Sequence, residues 1–181
     1  GGVCPFIFIH GSSGVGKTLS AFAIAESYRA PLVNVYPQRM VLYMTLNPSD
    51  SQSIYAYFLL RSRGFSECLD RDLRNLSNEN LVPSCLVSQK LFVFGFLLEL
   101  MKHELEITEN KTAIVPPCCR DEIIQLVQSK LNGYMPIVII DEYNIDNNMH
   151  DKARLARNCF RALLIPVVVM GTDSKAANLM A

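Results

Sequence analysis

The sequence predicts an α/β fold built on a largely parallel sheet. Short apolar runs alternate with segments of helical spacing along the whole chain, and the first run opens directly into a glycine- and serine-rich loop followed by a helix. Internal repeats and low-complexity stretches are missing.

Each element has its own signal. Residues 3–10 are a short apolar run and predict a buried strand. Residues 11–16 form the loop, and residues 17–28 have helical spacing, with Leu19, Phe22, Ala23 and Ala25 available for packing. Residues 40–46 (MVLYMTL) predict a second strand; residues 31–36 are a weaker short strand or an extended connector. Asn47-Pro48-Ser49-Asp50 is a turn cluster. Helices are expected over 52–61, 65–76 and 88–105, until Val115-Pro116-Pro117 breaks the pattern. Residues 120–131 resume a helix, with Asp121 and Glu122 in the first turn, where the dipole favours acids, and Asn132-Gly133 at its end. Residues 134–140 (YMPIVII) predict a buried strand closed by Asp141 and Glu142. Residues 151–164 predict a helix, 165–170 (IPVVVM) a further strand, and 175–181 the start of another helix after the turn Gly171-Thr172-Asp173-Ser174.

At 181 residues, half of them hydrophobic, the chain suits one domain with a sizeable core. Seventeen basic residues balance seventeen acidic ones, so charge gives no case for a nucleic-acid-binding face. Six cysteines show no C-x-x-C pair and no histidine at ligand spacing, which favours reduced thiols in an intracellular setting over zinc or a disulfide framework. Uninterrupted apolar stretches fall short of the roughly 18 residues that span a membrane. The chain begins Gly-Gly without Met and stops just after an apolar strand and turn, and so reads as a C-terminally truncated piece of something longer.

Gly11-Ser12-Ser13-Gly14-Val15-Gly16-Lys17-Thr18 matches G-x-x-x-x-G-K-[ST], the phosphate-binding P-loop pattern. Glycines let the backbone turn tightly and bring its N–H groups to phosphate oxygens. The helix that follows presents unpaired N–H groups and a positive dipole end. Lys17 is expected to meet the β- and γ-phosphates of ATP or another nucleoside triphosphate, and Thr18 to offer its hydroxyl to Mg²⁺. A chance glycine turn would not need the strand before it and the helix after it.

Asp141 and Glu142 close an apolar strand. In P-loop proteins such an Asp holds the Mg²⁺ shell, and the adjacent Glu polarises the attacking water as general base. The bland alternative is that Asp141 caps whatever follows the strand. A strand placed after the acidic one suits the additional-strand P-loop ATPases, in which it lies between the loop strand and the acidic strand and its polar tip senses the γ-phosphate. Thr172 is the candidate sensor, with Asp173 and Ser174 as second choices; Asp173 as a helix N-cap is the alternative. Arg154, Arg157 and Arg161 lie on roughly one stripe and read as a solvated face, with an arginine finger towards a neighbouring subunit as the sharper reading. His10 and His150 are assigned no chemistry, and the Tyr55, Tyr57, Phe58 and Phe92, Phe94, Phe96 groups read as core. The span from Lys17 to Asp141 far exceeds the one or two β/α units, about 30 residues each, that a minimal core needs. A helical insertion over about residues 47–117 is expected beside the nucleotide site, as lid, partner-binding surface or both.

The stretches GSSGVGKTLSAFAIA, VLYMTLNPSDSQSIYAYF, VIIDEYN and RNCFRALLIPVVVMGTDSKAANL resemble the P-loop NTPase domain of the Crinkler-type (CRN) proteins of oomycetes. The resemblance spans much of the chain and is patchy between Arg61 and Gly133. It implies a three-layer α/β/α, AAA+/STAND-like ATPase fold. It also implies a secreted effector acting inside host cells, often in the nucleus, with the NTPase domain joined to a nuclease-like domain and a targeting region. By motif, Lys17 and Thr18 would bind phosphate and Mg²⁺, Asp141 and Glu142 would serve metal and water, and Thr172 would be the sensor. The chain shows neither of those attached regions, nor a C-terminal lid with a sensing arginine.

Three functions are therefore carried forward: an ATP hydrolase that moves or assembles a protein partner, a nucleotide-gated switch with little turnover, and a small-molecule kinase. The Asp141-Glu142 pair favours the first, because a kinase acceptor is not water. The partner is unknown and self-association is open.

Overall fold

Among the described residues four short strands make the sheet: β1 (Phe6–His10), β2 (Val41–Thr45), β3 (Ile137–Asp141) and β4 (Val167–Gly171). The structure is a computed structural model that describes residues 6–11, 16, 17, 19–21, 23, 40–45, 53–103, 115–141 and 150–171, without the side chains of 45, 53–61 and 103. All pairings in this sheet are parallel, and the order is β1-β4-β3-β2. The two central strands are buried at all five positions. This is why they read as unbroken runs of Val and Ile rather than as alternating patterns.

The helices are α1 (Ser53–Asn75), α2 (Pro83–Leu86), α3 (Phe92–His103), α4 (Arg120–Lys130) and α5 (His150–Leu163), with a 3-10 turn at Asn78–Leu81. Lys17, Leu19, Ser20, Ala21 and Ala23 are also helical and belong to the helix expected after the loop. Among the described residues no helix is long and apolar enough to cross a membrane.

Expected boundaries differ in several places: the strands expected over 134–140 and 165–170 run Ile137–Asp141 and Val167–Gly171. The two helices expected over 52–61 and 65–76 are a single helix of 23 residues, α1, over Ser53–Asn75. Gly64 in its middle costs about 1 kcal/mol against Ala. That cost is offset by Phe65, whose ring lies 5.8 Å from Phe96 and 5.9 Å from Phe160. The helix expected from residue 88 starts only at Phe92. Leu91 exchanges both backbone hydrogen bonds with Cys118, at 3.0 and 3.2 Å, and this antiparallel bridge ties its N–H to a distant segment.

One large core lies on one face of the sheet. Leu42, Met44, Val138, Ile140, Val167 and Val169 meet Phe65, Leu69, Phe94, Leu97, Leu155 and Phe160 there. The helices between β2 and β3 thus form a layer on the sheet and share its main core. The other face carries Tyr43, Ile139, Val168 and Met170, with Ala21 of the post-loop helix packed against them. Strand periodicity sorts these two sets, since successive side chains point to opposite faces.

Helix ends are closed as the sequence anticipates at α4 and by other means at α5. Asn132 (φ 52°) and Gly133 (φ 80°) turn the chain left-handed after α4, and the Gly133 N–H donates to the Val127 carbonyl at 3.0 Å. After α5 the same turn is made by Leu164 at φ 58°, with the Ile165 N–H donating to the Phe160 carbonyl at 3.0 Å. Arg120 Nε donates to the carbonyl of Ala162 at 2.7 Å, placing a cation in the last turn of α5.

Candidate functional site

The site is the edge of the sheet where the parallel strands all end. β1 runs into Gly11, whose N–H donates to the Gly171 carbonyl at 3.4 Å and carries the β1–β4 ladder one residue further. Gly16 has φ 85°, and an added Cβ there would meet nothing within 4 Å. The demand for glycine is thus backbone conformation rather than space. The Ser20 N–H and Oγ both donate to the Gly16 carbonyl, at 2.9 and 3.0 Å, which closes the first helical turn.

Lys17 begins the helical residues and is half-buried. Its Nζ donates to the Gly11 carbonyl at 2.6 Å, six residues back along the chain. The ammonium therefore lies across the mouth of the loop, near the β1 terminus, rather than extended into solvent. A positive charge at the positive end of a helix is unfavourable in isolation. Its contact with the Gly11 carbonyl offsets that repulsion.

Asp141 is the last residue of β3 and is 1% exposed. The Tyr43 hydroxyl donates to Asp141 Oδ2 at 2.7 Å. In the β2–β3 register Tyr43 lies opposite Ile139 and Thr45 opposite Asp141. Tyr43 is therefore two positions below the carboxylate on the same face, and its ring reaches diagonally up to it. Among the described residues, this tyrosine is a partner of the candidate site that the sequence reading missed. A clue existed: it is a polar-tipped aromatic inside an otherwise apolar strand, and a buried phenol usually finds a partner.

The strand order sets the two motifs apart by one strand. β4 lies between β1 and β3, so Gly11 and Asp141 flank its end at a separation of about 10 Å, twice the usual strand spacing. Of the expected site, Gly11, Gly16, Lys17 and Asp141 are thus brought to one edge. Ser12, Ser13, Gly14, Val15, Thr18, Glu142, Thr172, Asp173 and Ser174 lie outside the described residues. Among the described residues no three His, Cys, Asp or Glu side chains gather as a metal site.

The arginine stripe is not uniformly solvated. Arg154 is exposed, while Arg157 and Arg161 are half-buried. The Arg161 guanidinium stands 5.4 Å from the centroid of the Phe6 ring, a cation–π contact that ties α5 to β1. His10 and His150 are exposed, and His10 stacks on Phe8 with centroids 6.2 Å apart. Phe94 and Phe96 are core residues, and Phe92 is half-buried under the Arg71 guanidinium, 3.8 Å from its centroid. Cys68, Cys85, Cys118, Cys119 and Cys159 carry free thiols. Burial pushes Cys68 and Cys118 up to about 12, and Cys159 well above the ordinary thiol value.

Neither protein-family models nor the curated proteins include a match to this chain.

Proposed function

We propose that this chain is a Mg²⁺-dependent ATP-binding and hydrolysing domain of the additional-strand P-loop class, with an AAA+/STAND-like architecture. The observation that carries the reading is the strand order. The glycine loop and the acidic strand end flank β4 at one edge of an all-parallel sheet, and open parallel sheets bind ligands at that edge. Backbone N–H groups of Gly11, Ser12, Ser13, Gly14, Val15 and Gly16 cradle the phosphates, and Lys17 leaves the Gly11 carbonyl for the β- and γ-phosphate oxygens. Glu142, one residue beyond the buried Asp141, accepts a proton from the attacking water. Thr172, one residue beyond β4, donates to the γ-phosphate.

Thr18 and Asp141 are the residues that would hold Mg²⁺, which would supply charge neutralisation of the phosphates. One carboxylate and one hydroxyl fit an ion that completes its shell with water and substrate phosphates. The resemblance to the Crinkler-type NTPase domain adds a setting for the activity, a secreted protein at work inside host cells, in which turnover drives a conformational or assembly change.

Phosphate release from Mg·ATP by the purified chain tests the proposal. Glu142→Gln is expected to slow release by about 10²-fold or more while nucleotide still binds. Lys17→Ala is expected to weaken nucleotide binding by about 10- to 100-fold, the worth of a charge-assisted hydrogen bond. A wild-type chain that binds no nucleotide overturns the reading. Tight binding without turnover moves it to the nucleotide-gated switch.

A further inference from the structure

The bond from Tyr43 to Asp141 has a role beyond satisfying two buried groups. We infer that Tyr43 is a positioning residue that orients the Asp141 carboxylate for Mg²⁺ bound with nucleotide. This rests on the nucleotide-binding reading of the site and adds a residue to it.

A carboxylate at the last position of a strand is held by its backbone at one side only, and its two side-chain torsions remain to be set. Asp141 is 1% exposed, so water does not set them. The Tyr43 hydroxyl helps to set them by donating to Oδ2, 2.7 Å away. The phenol itself is rigid. It stands on β2 within a five-residue parallel register against β3, is 4% exposed, and packs in the apolar set with Ile139 and Met170. A ring fixed in that way presents its hydroxyl at one point.

A carboxylate has about four acceptor sites on its two oxygens. The phenol occupies one of them on Oδ2, on the side facing β2. The β4 and loop side of the carboxylate is where a metal bound with phosphate would lie, since β4 separates β3 from the loop strand. Partners that hold a metal-ligating group by its other side orient it and tune its affinity, and their loss typically costs about 10- to 100-fold in metal affinity or activity. Tyr43 meets that description from a strand that carries no part of the phosphate loop or of the acidic pair.

The test measures binding of a non-hydrolysable ATP analogue by calorimetry across a Mg²⁺ series and in EDTA. Tyr43→Phe keeps the ring and removes only the hydroxyl. It is expected to raise the Mg²⁺ concentration that half-maximally enhances nucleotide affinity by about 10-fold. Affinity in EDTA should stay within about twofold of wild type, because the phosphate loop is untouched. In the Asp141→Asn background the same change should add little, since Tyr43 acts through that carboxylate. A Mg²⁺ curve that superimposes on wild type overturns the inference and leaves a structural bond. A second readout uses the wild-type chain alone: ¹³Cζ-labelled Tyr43 should shift when Mg²⁺ is added to nucleotide-bound protein, and an unmoved resonance also overturns it. Wild type that binds no nucleotide in either buffer defeats the parent reading instead, so the two failures are distinct.

Discussion

Asp72 shows what a single buried carboxylate does for this fold. It lies in α1, is 2% exposed, and accepts the N–H groups of Phe92 and Val93 at 2.9 and 2.8 Å. Those are the first two donors of α3, so a side chain from another helix does the work of a local N-cap. Asp72→Ala should lower stability by about 1–2 kcal/mol, read as a shifted urea midpoint. Burial raises the Asp72 carboxyl above its ordinary value, against the two backbone donors and Arg71, which pull it down. The folded state therefore holds the proton more tightly than the unfolded chain does. Its stabilising effect is full below the ordinary carboxylate value and is lost as pH rises through the raised one. The unfolding free energy of wild type minus that of Asp72→Asn should accordingly shrink as pH rises through that window. A difference that grows instead would mean that the backbone donors outweigh desolvation. Lys17 and Asp141 belong to this scale too, and both were legible: each is tied to a local pattern, a glycine loop or an apolar run ending in acid. Asp72 and Tyr43 were not legible, because their partners stand 20 and 98 residues away.

At the scale of elements, close approach between backbones decides what is tolerated. Gly95 lies in α3, and a Cβ built there would stand 1.9 Å from the Pro116 carbonyl oxygen. That oxygen is backbone and cannot rotate away. Gly95→Ala should therefore destabilise by about 1–3 kcal/mol or more, the range for overpacking a core, despite the higher helix propensity of Ala. A thermal melt checks it, and an unchanged Tm would show that α3 and residues 115–118 can separate without cost. Pro116 was read only as a breaker; its carbonyl turns out to fill the space that Gly95 vacates. The continuity of α1 has the same origin. Arg61-Ser62-Arg63-Gly64 looks like a break in helical spacing, yet Ser62 is buried at 3% and Gly64 faces the Phe96 ring, 2.9 Å from where a Cβ would be. Tertiary packing overrides propensity there.

For the whole molecule, a shared core should make distant cysteines respond together. Cys68 on α1, Cys118 before α4 and Cys159 on α5 all belong to the main cluster, and burial raises all three thiols. The thiolate is the reactive form, so these three should resist a thiol reagent at neutral pH, while exposed Cys85 reacts at once. Mass spectrometry of the modified chain over a urea series should show all three becoming reactive in one transition. Separate transitions would mean that the helices over residues 53–103 unfold independently of the sheet.

The alternation of strands and helices, the glycine loop and the acidic strand end were readable along the chain because each is a local regularity: a period of two or 3.6, a backbone angle that favours glycine, an apolar run of fixed length. The place of β4 between β1 and β3 could be anticipated only by likeness to the additional-strand ATPases, and the place of β2 beside β3 was not anticipated, since hydrophobic burial is non-directional and does not say which apolar strands become neighbours. Tertiary structure alone brought Tyr43 to Asp141 and Asp72 to the start of α3. These are polar contacts made between segments far apart in the chain, and they form only after packing has set each strand and helix in place.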